Sequence, residues 1–162
     1  MFLVKSWAES TIAGLITIKN QRNKMEITLK NLQDILPVHP AKIKKLIKHI
    51  LKSEGIKKTG YINICFVDNS LIKKFNSKFL KSRSSTDVLA FNLSEKKDKN
   101  NILADIIISA QAALKQSGEF KTTPDYELSL YVTHGVLHIL GYDDHKTRQI
   151  KQMRRKEKQY VN

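Results

Sequence analysis

A chain of 162 residues with 41% hydrophobic residues can bury the core of one domain and leaves little for a second. Its 29 lysines and arginines against 15 acidic residues give a formal charge of +14, which favours RNA, DNA or an anionic surface, although solubility alone is the plainer account. The single cysteine, Cys65, excludes an internal disulfide framework and fits a reducing, cytoplasmic setting, and no apolar run approaches the about 20 residues of a membrane span.

Residues 1–24 read as an N-terminal extension. Lys5 precedes the short apolar run from Thr11 to Ile18, Glu9 interrupts the approach, and no small-residue cleavage site follows, so the segment makes a poor leader. Met25 reads like a fresh start, and residues 25–162 are taken as the domain. Glu26-Ile27-Thr28-Leu29 predicts a strand. Pro37 and Pro40 mark a turn, and Pro40 suits a first helical position. Ile43, Leu46, Ile47, Ile50 and Leu51 then recur at helical spacing. Lysines 42, 44, 45, 48 and 52 cover the rest of that helix, a face that is ordinarily just solvated but could border an RNA path. His39 and His49 have no partner at ligand spacing and are read as structural.

Tyr61 to Val67 predicts a buried strand with Cys65 as a buried thiol. Asp68-Asn69-Ser70 offers a cap for a helix carrying Leu71, Ile72, Phe75 and Phe79. Ser82-Arg83-Ser84-Ser85 is a polar loop before a strand, Thr86-Asp87-Val88-Leu89-Ala90-Phe91. Glu95 to Asn101 is a charged connection. Leu103 to Ser109 is the next strand, and Asp105 within it needs a partner. That partner is either a metal-binding histidine, the preferred reading, or a group that ties down the sheet. A helix follows from about Ser109, with Gly118 as its predicted stop.

Pro124 to Leu140 is apolar nearly all round and predicts a buried helix. Near its end His134 and His138 are four residues apart, so both imidazoles share one face and can reach one ion. Gly141 ends the helix in the left-handed conformation, and the chain turns back through Tyr142, Asp143, Asp144 and His145. The pattern predicts a zinc site, with a satisfied core pair as the plain alternative. Zinc peptidases place a glutamate after the first histidine as general base; here that position is Gly135, which cannot move a proton, so peptide hydrolysis fits poorly. Thr147 to Val161 predicts a last helix, strongly basic through Arg148, Lys151, Arg154, Arg155, Lys156 and Lys158, with Glu157 the sole opposing charge.

The run from His134 to His145 resembles the signature His-Gly-x-Leu-His-x-x-Gly-Tyr-Asp-His of the YbeY family, bacterial endoribonucleases and rRNA maturation factors. Thr86 to Phe91 is similar to that family's Thr-Asp-Val-Leu-Ser-Phe strand, and Leu103 to Ser109 to its Leu-Gly-Asp-Ile-x-Ile-Ser. There are two departures. The family's third histidine falls at Asp144, with His145 one residue later, so either Asp144 or His145 is the third ligand. Where relatives carry an arginine after the aromatic Phe79, this chain has Leu80, leaving Lys81 or Arg83 to supply the charge, with Arg83 as the catalytic candidate.

The elements imply one α/β (α+β) domain, a small mixed sheet of about four strands flanked by helices, with the zinc site at the end of a buried helix. Three protein ligands (His134, His138 and Asp144 or His145) leave a fourth position for water on one Zn2+ per chain, with His134 at the water site. The resemblance implies a zinc-dependent, single-strand-specific endoribonuclease of small-subunit rRNA 3′-end maturation and ribosome quality control. Its expected partners are precursor rRNA and the ribosome or its small-subunit proteins, with no membrane. The competing reading is a ribosome assembly factor that binds RNA around a structural zinc, favoured by the lack of an evident general base.

Overall fold

The computed structural model describes residues 24–81, 86–94 and 100–161; residues 1–23 of the segment read as an extension, residues 82–85 with Arg83, residues 95–99 and Asn162 lie outside them. Four strands build one sheet in the order β1-β2-β4-β3: β1 Met25–Asn31, β2 Thr59–Val67, β3 Val88–Asn92 and β4 Asn101–Ser109. β1, β2 and β4 run parallel, and β3 lies antiparallel at the edge beside β4. Five described helices flank it: α1 Pro40–Ser53, α2 Asn69–Leu80, α3 Ala110–Phe120, α4 Pro124–Ile139 and α5 Thr147–Val161. This is the single small α/β domain with a four-stranded mixed sheet that the pattern predicts.

Strand alternation sorts the side chains between two faces. Ile62, Ile64, Phe66, Ala104, Ile106 and Ile108 meet α1, α4 and α5 in the larger core, while Cys65, Val67, Leu89 and Ile107 meet Ile72 and Phe75 of α2 on the other side. Burial there pushes the Cys65 thiol up to about 11, so it is an inert structural group. Leu128, Val132, Val136 and Leu137 of α4 are each at most 2% exposed. At about 1.5–3 kcal/mol apiece, their burial outweighs the cost of about 1–3 kcal/mol for a polar group drawn partly out of water. The helix can therefore carry two half-buried histidines.

Asp105 shows what parity decides. It is buried, shares the α2 side of β4 with Ile107, and its Oδ1 accepts from Asn63 Nδ2 at 2.9 Å across the β2–β4 pair. The α4 histidines stand over the opposite face, so the preferred reading of Asp105 as a partner of a metal-binding histidine is corrected to its alternative. It ties down the sheet. A second correction concerns α3, which runs through Gly118 to Phe120 and ends where Lys121 takes the left-handed conformation (φ 55°). One glycine costs a helix only about 1 kcal/mol.

Local signals hold elsewhere. The Asp68 carboxylate accepts from Leu71 N at 2.7 Å as the cap of α2, and Pro40 and Pro124 open their helices. Thr123 caps α4 through Tyr126 N at 3.1 Å. His49 packs edge-on against Tyr160, in keeping with a structural role.

Gly135 faces the sheet. A Cβ at that position would lie 2.8 Å from Ile106 Cγ2 and 3.2 Å from Val88 Cγ1, so the missing side chain is what lets α4 lie close against β3 and β4.

At the end of α1, Glu54 joins three elements. Its carboxylate accepts from Tyr142 Oη at 2.8 Å, from Lys156 Nζ at 2.8 Å and from Tyr160 Oη. Burial alone would raise this carboxyl, but the bonds from Lys156, Tyr160 and Tyr142 outweigh it and hold the carboxyl below its ordinary value. A depressed carboxyl stabilises the fold fully above the ordinary glutamate value of about 4.3 and loses that contribution as pH falls through the folded-state value. Between about pH 5 and pH 3 the melting temperature of the wild type should therefore fall more steeply than that of Glu54→Gln. Parallel slopes would take Glu54 out of the acid transition.

Candidate metal centre

α4 ends in two interlocking hydrogen bonds. Gly141 N–H donates to His138 O at 3.0 Å and Tyr142 N–H to Leu137 O at 3.0 Å, with Gly141 at φ +94°. This is the Schellman arrangement, which a glycine makes without strain. It turns the chain sharply enough to bring Asp144 back beside the helix it has just left. The Asp144 carboxylate stands 3.8 Å from Nε2 of both His134 and His138. Ligand atoms of His134, His138 and Asp144 lie within 4.8 Å of one another.

His145 stands elsewhere. Its side chain is 84% exposed and its Nε2 lies 3.4 Å from Asp143. It groups with Asp143 and Asp144 rather than with the two helix histidines. Of the two candidates for the third position, Asp144 faces the imidazole pair.

Each imidazole is oriented from behind. His134 Nδ1 lies 2.6 Å from a Glu157 carboxylate oxygen, and His138 Nδ1 lies 3.0 Å from the Tyr142 carbonyl. Both partners are acceptors, so both Nδ1 atoms donate, and in the neutral rings both Nε2 atoms then present lone pairs. Those lone pairs face each other at 2.9 Å, an arrangement that repels unless a cation or a proton stands between them. Zinc–nitrogen bonds of about 2.0–2.1 Å at a tetrahedral angle place two ligand nitrogens roughly 3.3 Å apart. The pair needs to open by only a few tenths of an ångström. Two imidazoles and a carboxylate are a donor set suited to such an ion.

Electrostatics separate the two rings. Burial pushes the His134 imidazole down, but the hydrogen bond and charge of Glu157, with Asp144 adding to them, hold it above the ordinary histidine value. Burial and the neighbouring His134 push His138 below it, against the pull of Asp144.

The family model described as Endoribonuclease YbeY matches residues 17–162. The chain belongs to the YbeY family. Among relatives named Endoribonuclease YbeY, that of Pelotomaculum thermopropionicum is 34% identical over 145 residues, covering 85% of this chain and 95% of the relative. The relative from Syntrophomonas wolfei is 32% identical over 154 residues, covering 90% and 94%. A solution structure of a Thermotoga maritima protein superposes with a TM-score of 0.56 at 27% identity, covering 85% of this chain and 86% of that one.

Within the YbeY family's pattern, the departure at position 144 keeps a metal-capable side chain where the fold turns toward the two imidazoles. Arg83 lies outside the described residues. Leu80 is 58% exposed at the end of α2, and Lys81 closes that helix in the left-handed conformation at φ 54°.

Two contacts behind the imidazoles escaped the sequence reading. Glu157 passed as one acid among six cations, yet Met153, Glu157 and Tyr160 share the inward face of α5, and an acid on a buried helical face was a signal available in the spacing. The Tyr142 carbonyl left no signal, because every residue has one. Replacing Glu157 with glutamine keeps the size but removes the charge behind His134. Zinc affinity should fall about 10–100-fold, and a competition titration with a chromophoric chelator will show it; unchanged affinity would make the Glu157 contact incidental.

Proposed function

We propose that this chain is a zinc-dependent endoribonuclease, specific for single-stranded RNA, that acts in the cytoplasm in small-subunit rRNA 3′-end maturation and ribosome quality control, together with the ribosome or its small-subunit proteins. The observation that carries the reading is the convergence of His134, His138 and Asp144 at the end of α4 in a chain whose relatives are named endoribonucleases.

A bound zinc ion supplies Lewis acidity to water and to a phosphate oxygen at neutral pH. The chain's own residues do the rest. Glu157 and the Tyr142 carbonyl hold the two Nδ1 protons, which leaves both Nε2 atoms free as donors to the ion. The exposed His145, the spare member of the Asp144/His145 pair and paired with Asp143, is the candidate to move a proton to the leaving oxygen. The excess of lysine and arginine favours RNA through its phosphates. Gly135 supports the choice against peptide hydrolysis, since the position of a peptidase's base is here turned into the sheet against Ile106.

The test is cleavage of a small-subunit rRNA precursor by the purified protein, with and without chelator, beside His138→Ala purified identically. The expected result is cleavage that chelator abolishes and the variant lacks. Equal cleavage by the variant would overturn the assignment. RNA binding without any cleavage would favour the assembly factor built on a structural zinc.

A further inference from the structure

We infer that Glu54, at the end of α1, is a positioning residue for the metal centre, because one carboxylate holds both the turn that orients His138 and the helix that orients His134. The inference rests on the zinc reading above and goes beyond it to a residue that touches no candidate ligand.

Glu54 is far from the centre in sequence, 88 residues from Tyr142, 102 from Lys156 and 106 from Tyr160. Its side chain is 12% exposed and that of Lys156 19%, so the ion pair is well shielded from water. Two branches leave it. On the first, Tyr142 is held at both ends: its hydroxyl donates to Glu54 at 2.8 Å and its carbonyl accepts from His138 Nδ1 at 3.0 Å. Fixing the ring of Tyr142 fixes where the carbonyl of the same residue points.

On the second branch, Lys156 and Tyr160 stand one helical turn apart on α5 and both donate to Glu54. These contacts set the rotation of α5 about its axis. Glu157, next to Lys156, then falls on His134 Nδ1 at 2.6 Å. A displacement of about 1 Å would lengthen that contact beyond hydrogen-bonding range. Both imidazoles thus take their aim, through one intermediary each, from the same carboxylate.

A mere packing clamp would change stability and leave metal affinity alone. The experiment therefore measures zinc dissociation constants by chelator competition, using zinc alone, for the wild type, Glu54→Gln, Tyr142→Phe and the double variant, with metal-free melting curves alongside. Glu54→Gln should weaken zinc about tenfold, the lower end for partners behind a ligand. Tyr142→Phe, which removes one hydroxyl and spares the fold if Glu54→Gln does not, should also weaken it. The losses in the double variant should be less than additive, because both changes act on the one Glu54–Tyr142 contact. Cobalt-loaded variants should show a shifted visible band. Melting temperatures that fall while both single variants keep zinc affinity within about twofold would overturn the inference, as would fully additive losses. Wild type that binds zinc but cuts no RNA would sink the nuclease reading and leave Glu54 in its role; wild type that binds no zinc would sink both.

Discussion

Asp144→Ala is expected to lose the zinc ion and RNA cleavage together, whereas His145→Ala keeps the ion. The argument is geometric. The Asp144 carboxylate stands 3.8 Å from both Nε2 atoms, while His145 is 84% exposed and leans on Asp143. Removing Asp144 leaves two imidazoles and no anionic ligand, a set that zinc sites seldom use. Cleavage should fall by orders of magnitude, since the acidity that a bound ion would lend to water goes with it. Asp144→His, which restores the family's residue, should keep the metal. Zinc content by atomic absorption and precursor cleavage decide the matter. A zinc-loaded Asp144→Ala beside an empty His145→Ala would mean that the turn carries one extra residue and that His145 is the ligand.

Gly135→Glu should not fold, and Gly135→Ala should fold less stably. Alanine gains about 1 kcal/mol over glycine in a helix interior, but its Cβ would sit 2.8 Å from Ile106 Cγ2, inside a β-branched side chain that is itself 1% exposed. Overpacking of that kind costs about 1–3 kcal/mol, so a net loss of about 1 kcal/mol, or roughly 2–4 °C in melting temperature, is expected. Glutamate adds a buried charge without a partner, which few small domains survive. The result bears on chemistry too. Gly135→Glu writes the peptidase sequence His-Glu-x-x-His into α4 and should yield an unfolded chain, not a peptidase. Circular dichroism and soluble yield are the readouts, and a Gly135→Glu protein melting like the wild type would refute the packing argument.

Gly135 also shows how far the sequence reading reached. Its lack of a proton-moving side chain was legible at once, yet its positive purpose was not, because Ile106 and Val88 come from two distant strands. Asp105 went the same way: a carboxylate in an apolar strand announced that it needed a partner, and only the sheet's parity shows that it bonds Asn63 on the α2 side. Gly118 looked like a helix stop because glycine lowers helix propensity, but the helix continues to Phe120.

What the sequence by itself determined is the chemistry that depends on neighbours along the chain. Two histidines four apart share a helical face, Gly141 turns the chain after them, and Asp68 and Pro124 place helix starts, all because backbone geometry repeats over a few residues. Tertiary structure alone decided that Asp144 faces the imidazoles, that Glu157 stands behind His134, and that Glu54 ties α1 to the turn and to α5. The last two depend on how α5 sits against α1 and α4, where Met153 and Tyr160 are buried among side chains far away along the chain.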